Sequence, residues 1–176
     1  MTVEKGFRDL VEMHRHRIFN LCCYYLGPSQ DAEDVAQEVL VRLWRNLDRV
    51  DEKALSVWLA RVTRNLCLDL LRKKKRDRGI FSGDGFEAAC EGVANGRDDP
   101  RAALEERDLR RQILLAMQGM EEPYRGILIL REIQEMSYGE IGEALGLPLN
   151  TVRVYLHRAR KRLRDEIREK VTDGEF

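Results

Sequence analysis

The chain has 176 residues, enough for one medium domain or two small helical ones. Charged residues make up 35%, aromatics only 7%, and the formal net charge is +0, so bulk charge gives no case for a nucleic-acid partner and local charge has to carry it. Its four cysteines include no C-x-x-C pair, the opening MTVEKGFRDL has no apolar signal core, and no stretch approaches a membrane span.

From these bounds the expectation is a soluble, cytoplasmic protein without membrane insertion. Cys22, Cys23, Cys67 and Cys90 are expected to be reduced, with buried thiols. Neighbouring Cys22 and Cys23 point in different directions on a helix and are poorly placed to chelate one metal.

In chain order, Phe7, Leu10, Val11, His14, Ile18, Leu21, Cys22 and Tyr25 recur at helical spacing and predict a helix over residues 2–26, broken by Gly27-Pro28. Ser29 is a candidate N-cap for the next helix. Asp31, Glu33 and Asp34 fill its first turns, where negative charge suits the helix dipole. Ala32, Val35, Ala36, Val39, Leu40, Leu43, Trp44 and Leu47 give it the cleanest apolar stripe in the chain. A polar connector, residues 48–53, leads to a third helix with Leu55, Trp58, Leu59, Val62, Leu66 and Leu70 inside. That helix runs into residues 72–78, six cations and one acid.

Residues 79–99 are rich in Gly, Ala, Asp and Glu without a clear period and read as a linker. Asp99-Pro100 is an N-cap and N1 pair for a helix carrying Leu104, Leu109, Ile113, Leu114 and Met117. Pro123 opens another, with Tyr124, Ile127, Leu128 and Leu130. Ser137-Tyr138-Gly139-Glu140 is a capping box, Gly146-Leu147-Pro148 a tight turn, and a last helix follows from Leu149 or Asn150. The final residues, 172–176, are expected to fray.

Residues 136–163 hold the parts of a helix-turn-helix in order. Ala144 is small, as a close crossing requires, and Gly146 can take a positive φ. Val152, Tyr155, Leu156, Ala159 and Leu163 form the inner face of the last helix. Its outer face carries Asn150, Thr151, Arg153, His157, Arg158, Arg160, Lys161, Arg162 and Arg164. Arg bonds guanine bidentately, Asn and Thr also reach base edges, and further arginines grip phosphates.

The N-terminal helices carry a second set. Asp31, Glu33, Asp34, Gln37 and Glu38 make an acidic and amide face that reads, from charge alone, as solvated. Arg61, Arg64 and Asn65 precede the basic run, with Trp58 on the apolar stripe and therefore first a core residue. Only three histidines occur, His14, His16 and His157. No Ser-His-Asp set, phosphate loop or metal-ligand cluster is apparent, so no enzyme, cofactor or metal is expected. A free-standing DNA-binding regulator would account for the last helix but leave the N-terminal helices without a task.

The phrases DAEDVAQEVLVRLWRNLDRVD and WLARVTRNLCLDLLRKKKR resemble region two of the extracytoplasmic-function (ECF) sigma factors of bacterial RNA polymerase. MEEPYRGILILREIQEMSYGEIGEALGLPLNTVRVYLHRARKRLR resembles their region four. The two matches occur in the family's order. The resemblance implies an all-α chain of two small helical domains joined by a flexible linker: region two over 1–78, a linker over 79–99 and region four over 100–176.

It implies a sigma factor that joins core RNA polymerase, through its clamp helices and flap, and directs promoter recognition and DNA opening. Asp31, Asp34, Gln37 and Glu38 would meet the polymerase. Asp51, Glu52 and Lys53 in the connector, with Trp58, Arg61, Arg64 and Asn65, would take the −10 element. Asn150, Thr151, Arg153, His157, Arg158, Arg160 and Lys161 would take the −35 element. Val154 stands where the family often has a small polar residue, and His157 where an aromatic is frequent. An anti-sigma protein is a further implied partner.

Overall fold

The computed structural model describes residues 3–78 and 100–172, with the side chains of residues 3–5, 52, 78, 100–108, 110 and 170–172 left out of the description. The expected linker, Cys90, the Asp99 cap and the last four residues lie outside it. Every regular element among the described residues is helical. These are α1 (Val3–Leu26), α2 (Gln30–Arg45), α3 (Leu55–Arg78), α4 (Pro100–Gly119), α5 (Tyr124–Leu128), α6 (Tyr138–Leu145) and α7 (Leu149–Thr172).

The first three helices pack into a bundle. Ile18, Leu21, Cys22 and Tyr25 of α1 meet Ala32, Val35, Val39 and Leu43 of α2 and Leu55, Leu59, Cys67 and Leu68 of α3. Gly27 sits at φ 74°, a conformation that costs glycine little, and reverses the chain between α1 and α2. Ser29 has the extended backbone of an N-cap, but its hydroxyl donates to the Gly27 carbonyl at 3.3 Å and makes no cap bond. It braces the turn instead. Trp44 departs from the expected stripe: it is 45% exposed and stands edge-on to Phe7, with centroids 4.8 Å apart.

The basic run continues α3 as helix to Arg78. Lys74 donates to the Asp31 carboxylate, a tie between the basic end of α3 and the first turn of α2.

The second group is built on Met117, Ile127, Leu128, Ile129, Leu130, Met136, Ile141, Ala144, Val152, Leu156 and Ala159. Leu109, expected inside α4, is 44% exposed. After α5 the backbone widens into a π-helical turn, Ile129–Ile133, which ends where Glu135 takes φ 55° and the Met136 N–H donates to the Leu130 carbonyl at 3.0 Å.

The capping box is formed. The Glu140 N–H donates to the Ser137 hydroxyl at 3.3 Å, and the Ser137 N–H donates to the Glu140 carboxylate at 2.8 Å. Two orphan donors are thereby satisfied, worth about 1 kcal/mol. Gly146 closes α6 at φ 68°. Ala144 is buried as expected, but the tightest approach at the turn belongs to Gly142. A Cβ there would lie 2.7 Å from the Leu147 carbonyl oxygen, whose residue donates its N–H to Gly142 at 2.8 Å.

The two groups pack against each other. α3 lies along α6, α1 touches α4, and one apolar core runs through both.

Candidate nucleic-acid interface

α7 is amphipathic in a way that sets its reading face. Val152, Leu156 and Ala159 are buried, with Tyr155 and Leu163 half-buried, so the opposite side points outward. Tyr155 packs on Tyr124 at 5.2 Å between centroids and helps hold the helix on its shelf. Asn150, Arg153, His157, Arg158 and Lys161 are exposed and Thr151 is half-buried.

The arginines of α7 divide into two classes. Arg160 donates to Glu132 Oε1 from Nε at 2.9 Å and from Nη2 at 2.7 Å. That bonding holds its guanidinium above the usual arginine range. Arg162 lies over the Tyr124 ring at 4.3 Å. Both brace α7 against the π turn and α5. Arg153 and Arg158 have exposed side chains beside Asn150 and Lys161. Of the expected −35 residues, Arg160 thus already has an intramolecular partner. Glu132 and Tyr124 decide this, and neither has a sequence signal, because the partner of Arg160 lies 28 positions away.

The N-terminal set is arranged differently. Asp51 accepts from the Lys53 N–H at 3.1 Å at the mouth of a short 3-10 turn, Glu52–Ala54, and both residues are exposed. The Glu52 side chain lies outside the described residues. Trp58 is half-buried against the core. Asn65 is exposed and accepts a long contact from Arg64 at 3.5 Å.

Arg61 and Arg64 face the second group. Arg61 donates to the Glu143 carbonyl of α6. Arg64 grips Glu122 Oε2 from Nη2 at 2.8 Å and from Nε at 3.2 Å, and Arg125 Nε holds the other oxygen at 3.2 Å. Arg125 also lies over the Tyr25 ring at 5.2 Å. Arg17 and Gln134 exchange bonds of 3.1 to 3.3 Å beside this seam.

Around α2, Gln37 is exposed, Asp34 accepts from Gln30 at 3.0 Å, and Glu38 takes Arg42 at 2.8 Å. Asp31 is engaged by Lys74 across the bundle.

The titratable interior offers little chemistry. His14 is buried, and desolvation with nearby Arg17 holds its pKa below the usual imidazole value. Cys22 and Cys67 are buried free thiols, and Cys67 is pushed up by its bond to Cys22 and by burial. Half-buried Cys23 is pushed up to about 12, chiefly by burial. A thiol held protonated is a poor nucleophile and metal ligand. Among the described residues no group of three or more His, Cys, Asp or Glu could hold a metal, and no helix is long and apolar enough to cross a membrane.

The comparisons with known proteins fall on the same two groups. Residues 10–77 match the family model Sigma-70 region 2, and residues 110–163 match Sigma-70, region 4. The ECF RNA polymerase sigma factor SigW of Bacillus subtilis (strain 168) is 35% identical over 95% of this chain and 94% of its own length. The ECF RNA polymerase sigma factor SigE of Mycolicibacterium smegmatis is 31% identical over 89% of this chain and 60% of its own. Among solved structures, sigma factor RpoE of Bartonella quintana, crystallised with the anti-sigma factor NepR, has a like fold: TM-score 0.75, 21% identity, 93% of this chain and 98% of that one covered.

Proposed function

The chain belongs to the ECF family of RNA polymerase sigma factors, and from that membership we propose how its residues divide the work of promoter reading. It is a transcription initiation factor and not an enzyme.

Region two takes residues 1–78 and region four residues 100–176, with 79–99 between them. α7 lies in the major groove of the −35 element. Arg153 and Asn150 reach base edges, while Thr151, His157, Arg158 and Lys161 contact bases or phosphates. Arg160 acts through Glu132 as a positioning residue. The observation that carries this is the outward set Asn150, Arg153, His157, Arg158 and Lys161 on a helix whose other face is locked into a capped helix-turn-helix.

Region two opens and holds the −10 element. The connector with Asp51, Glu52 and Lys53 takes an unstacked base, and Trp58, Arg61, Arg64 and Asn65 support the strand. Unstacking costs a few kcal/mol per step, which captured bases and phosphate contacts offset. Asp34, Gln37 and Glu38 meet the clamp helices, and the other face of region four meets the flap. An anti-sigma protein, such as the one crystallised with the Bartonella factor, holds the chain inactive. The chain acts in the cytoplasm, beside the polymerase.

Run-off transcription from a genomic fragment library, with core polymerase and with or without this protein, tests the reading. New discrete starts sharing two spaced upstream elements are expected. A protein that binds duplex sites alone but never joins core polymerase is instead a free-standing regulator.

A further inference from the structure

α7 exposes two apolar side chains among its described residues, Leu149 at its first position (45%) and Val154 within the −35 face (48%). Asn150, Val154, His157 and Lys161 are spaced by four, three and four residues, so they form one row along the exposed side of the helix. Val154 is 48% exposed in the middle of that row, flanked by exposed Arg153 and Arg158. A single exposed valine is ordinary on a protein surface. This one is distinguished by its place: the arginines that could crowd the row, Arg160 and Arg162, are drawn aside to Glu132 and Tyr124. β-branched valine is also a mediocre helix former on a solvated face. Among the groups that base edges present in the major groove, the apolar one is the thymine C5 methyl.

We propose that Val154 packs on a thymine methyl of the −35 element and so selects an A·T pair at that step. Asn150, one turn away, has the amide chemistry that pairs with adenine. The inference rests on α7 reading the −35 element and adds which base chemistry it seeks there.

Each thymine of a −35 element mapped by run-off transcription is replaced singly by deoxyuridine, which removes only the methyl. Complex formation by this protein with core polymerase is then measured. One replacement is expected to weaken the wild-type complex by about two- to five-fold, the size of one buried methyl, and to have no effect on Val154→Ser. Indifference to every replacement, or an undiminished loss in Val154→Ser, overturns the inference. If Arg153→Ala leaves selection of the mapped element unchanged, it is the −35 reading itself that fails.

Discussion

The two surfaces proposed to read DNA are held in different states. The α7 face is presented: its inner residues are buried, Arg160 and Arg162 are tied back, and Arg153 and Arg158 are exposed. The α3 face is engaged: exposed Arg61 donates to the Glu143 carbonyl of α6, and half-buried Arg64 donates to Glu122. The same residue type therefore does two jobs, and partner carboxylates and carbonyls decide which. Counting arginines on a helix measures its capacity for phosphate. The bonds those arginines already make measure how much of that capacity is free.

The largest way to break the contrast is to remove the shelf under the presented face. Leu156→Ala, at a site 1% exposed, should cost about 2–5 kcal/mol by thermal or denaturant unfolding. Promoter-directed transcription should be lost with it. Arg153→Ala should cost about 1–3 kcal/mol of promoter discrimination, read as a loss of roughly five- to a hundred-fold in specific run-off, with core binding nearly intact. Equal loss of both activities would place Arg153 outside the reading face.

Ser137→Ala tests the platform at smaller scale, at about 1 kcal/mol in melting experiments. It also carries a pH signature. Bonds to Ser137 hold the Glu140 carboxyl below its usual range. A depressed folded value means that this stabilisation is complete above the unfolded carboxylate pKa and is lost as pH falls through the folded one. The acid limb of the stability profile should therefore flatten in Ser137→Ala. Smallest of all, Arg160→Ala should cost at most about 1 kcal/mol of stability, since its pair with Glu132 is near the surface. It should lower DNA affinity less than Lys161→Ala does. A larger DNA effect at Arg160 would erase the division drawn among the arginines of α7.

Most of the architecture was legible in the residues. The Gly27 break, the capping box and the Gly146 turn are local matters of backbone freedom and short side-chain bonds, and they formed as read, whereas α2 ends at Arg45, short of Leu47, and α5 at Leu128, with Leu130 in the π turn. Trp44 and Leu109 were placed inside by periodicity but stand substantially exposed. A stripe specifies a face, and only the packing neighbours decide how wide a strip of it is covered. Ser29 takes the extended backbone of an N-cap, but its hydroxyl is turned to the Gly27 carbonyl two residues back and makes no cap bond. Residue size points to Ala144 at the turn, but Gly142 makes the closest approach, because a missing Cβ matters only where another backbone comes within reach.

The candidate sites divide along the same line. That α7 would carry a basic and amide face, and that region two would offer arginines beside an acidic connector, was written in spacing and residue type. Which arginines remain free was settled by Glu122, Glu132, Tyr124 and the Glu143 carbonyl, brought from 28 to 82 positions away. The sequence by itself determined the helices, the order of the two groups and the chemistry on each surface, since these depend on periods of a few residues. Tertiary structure alone decided which surface is open, because an ion pair or a close backbone approach between distant segments exists only after the chain has folded.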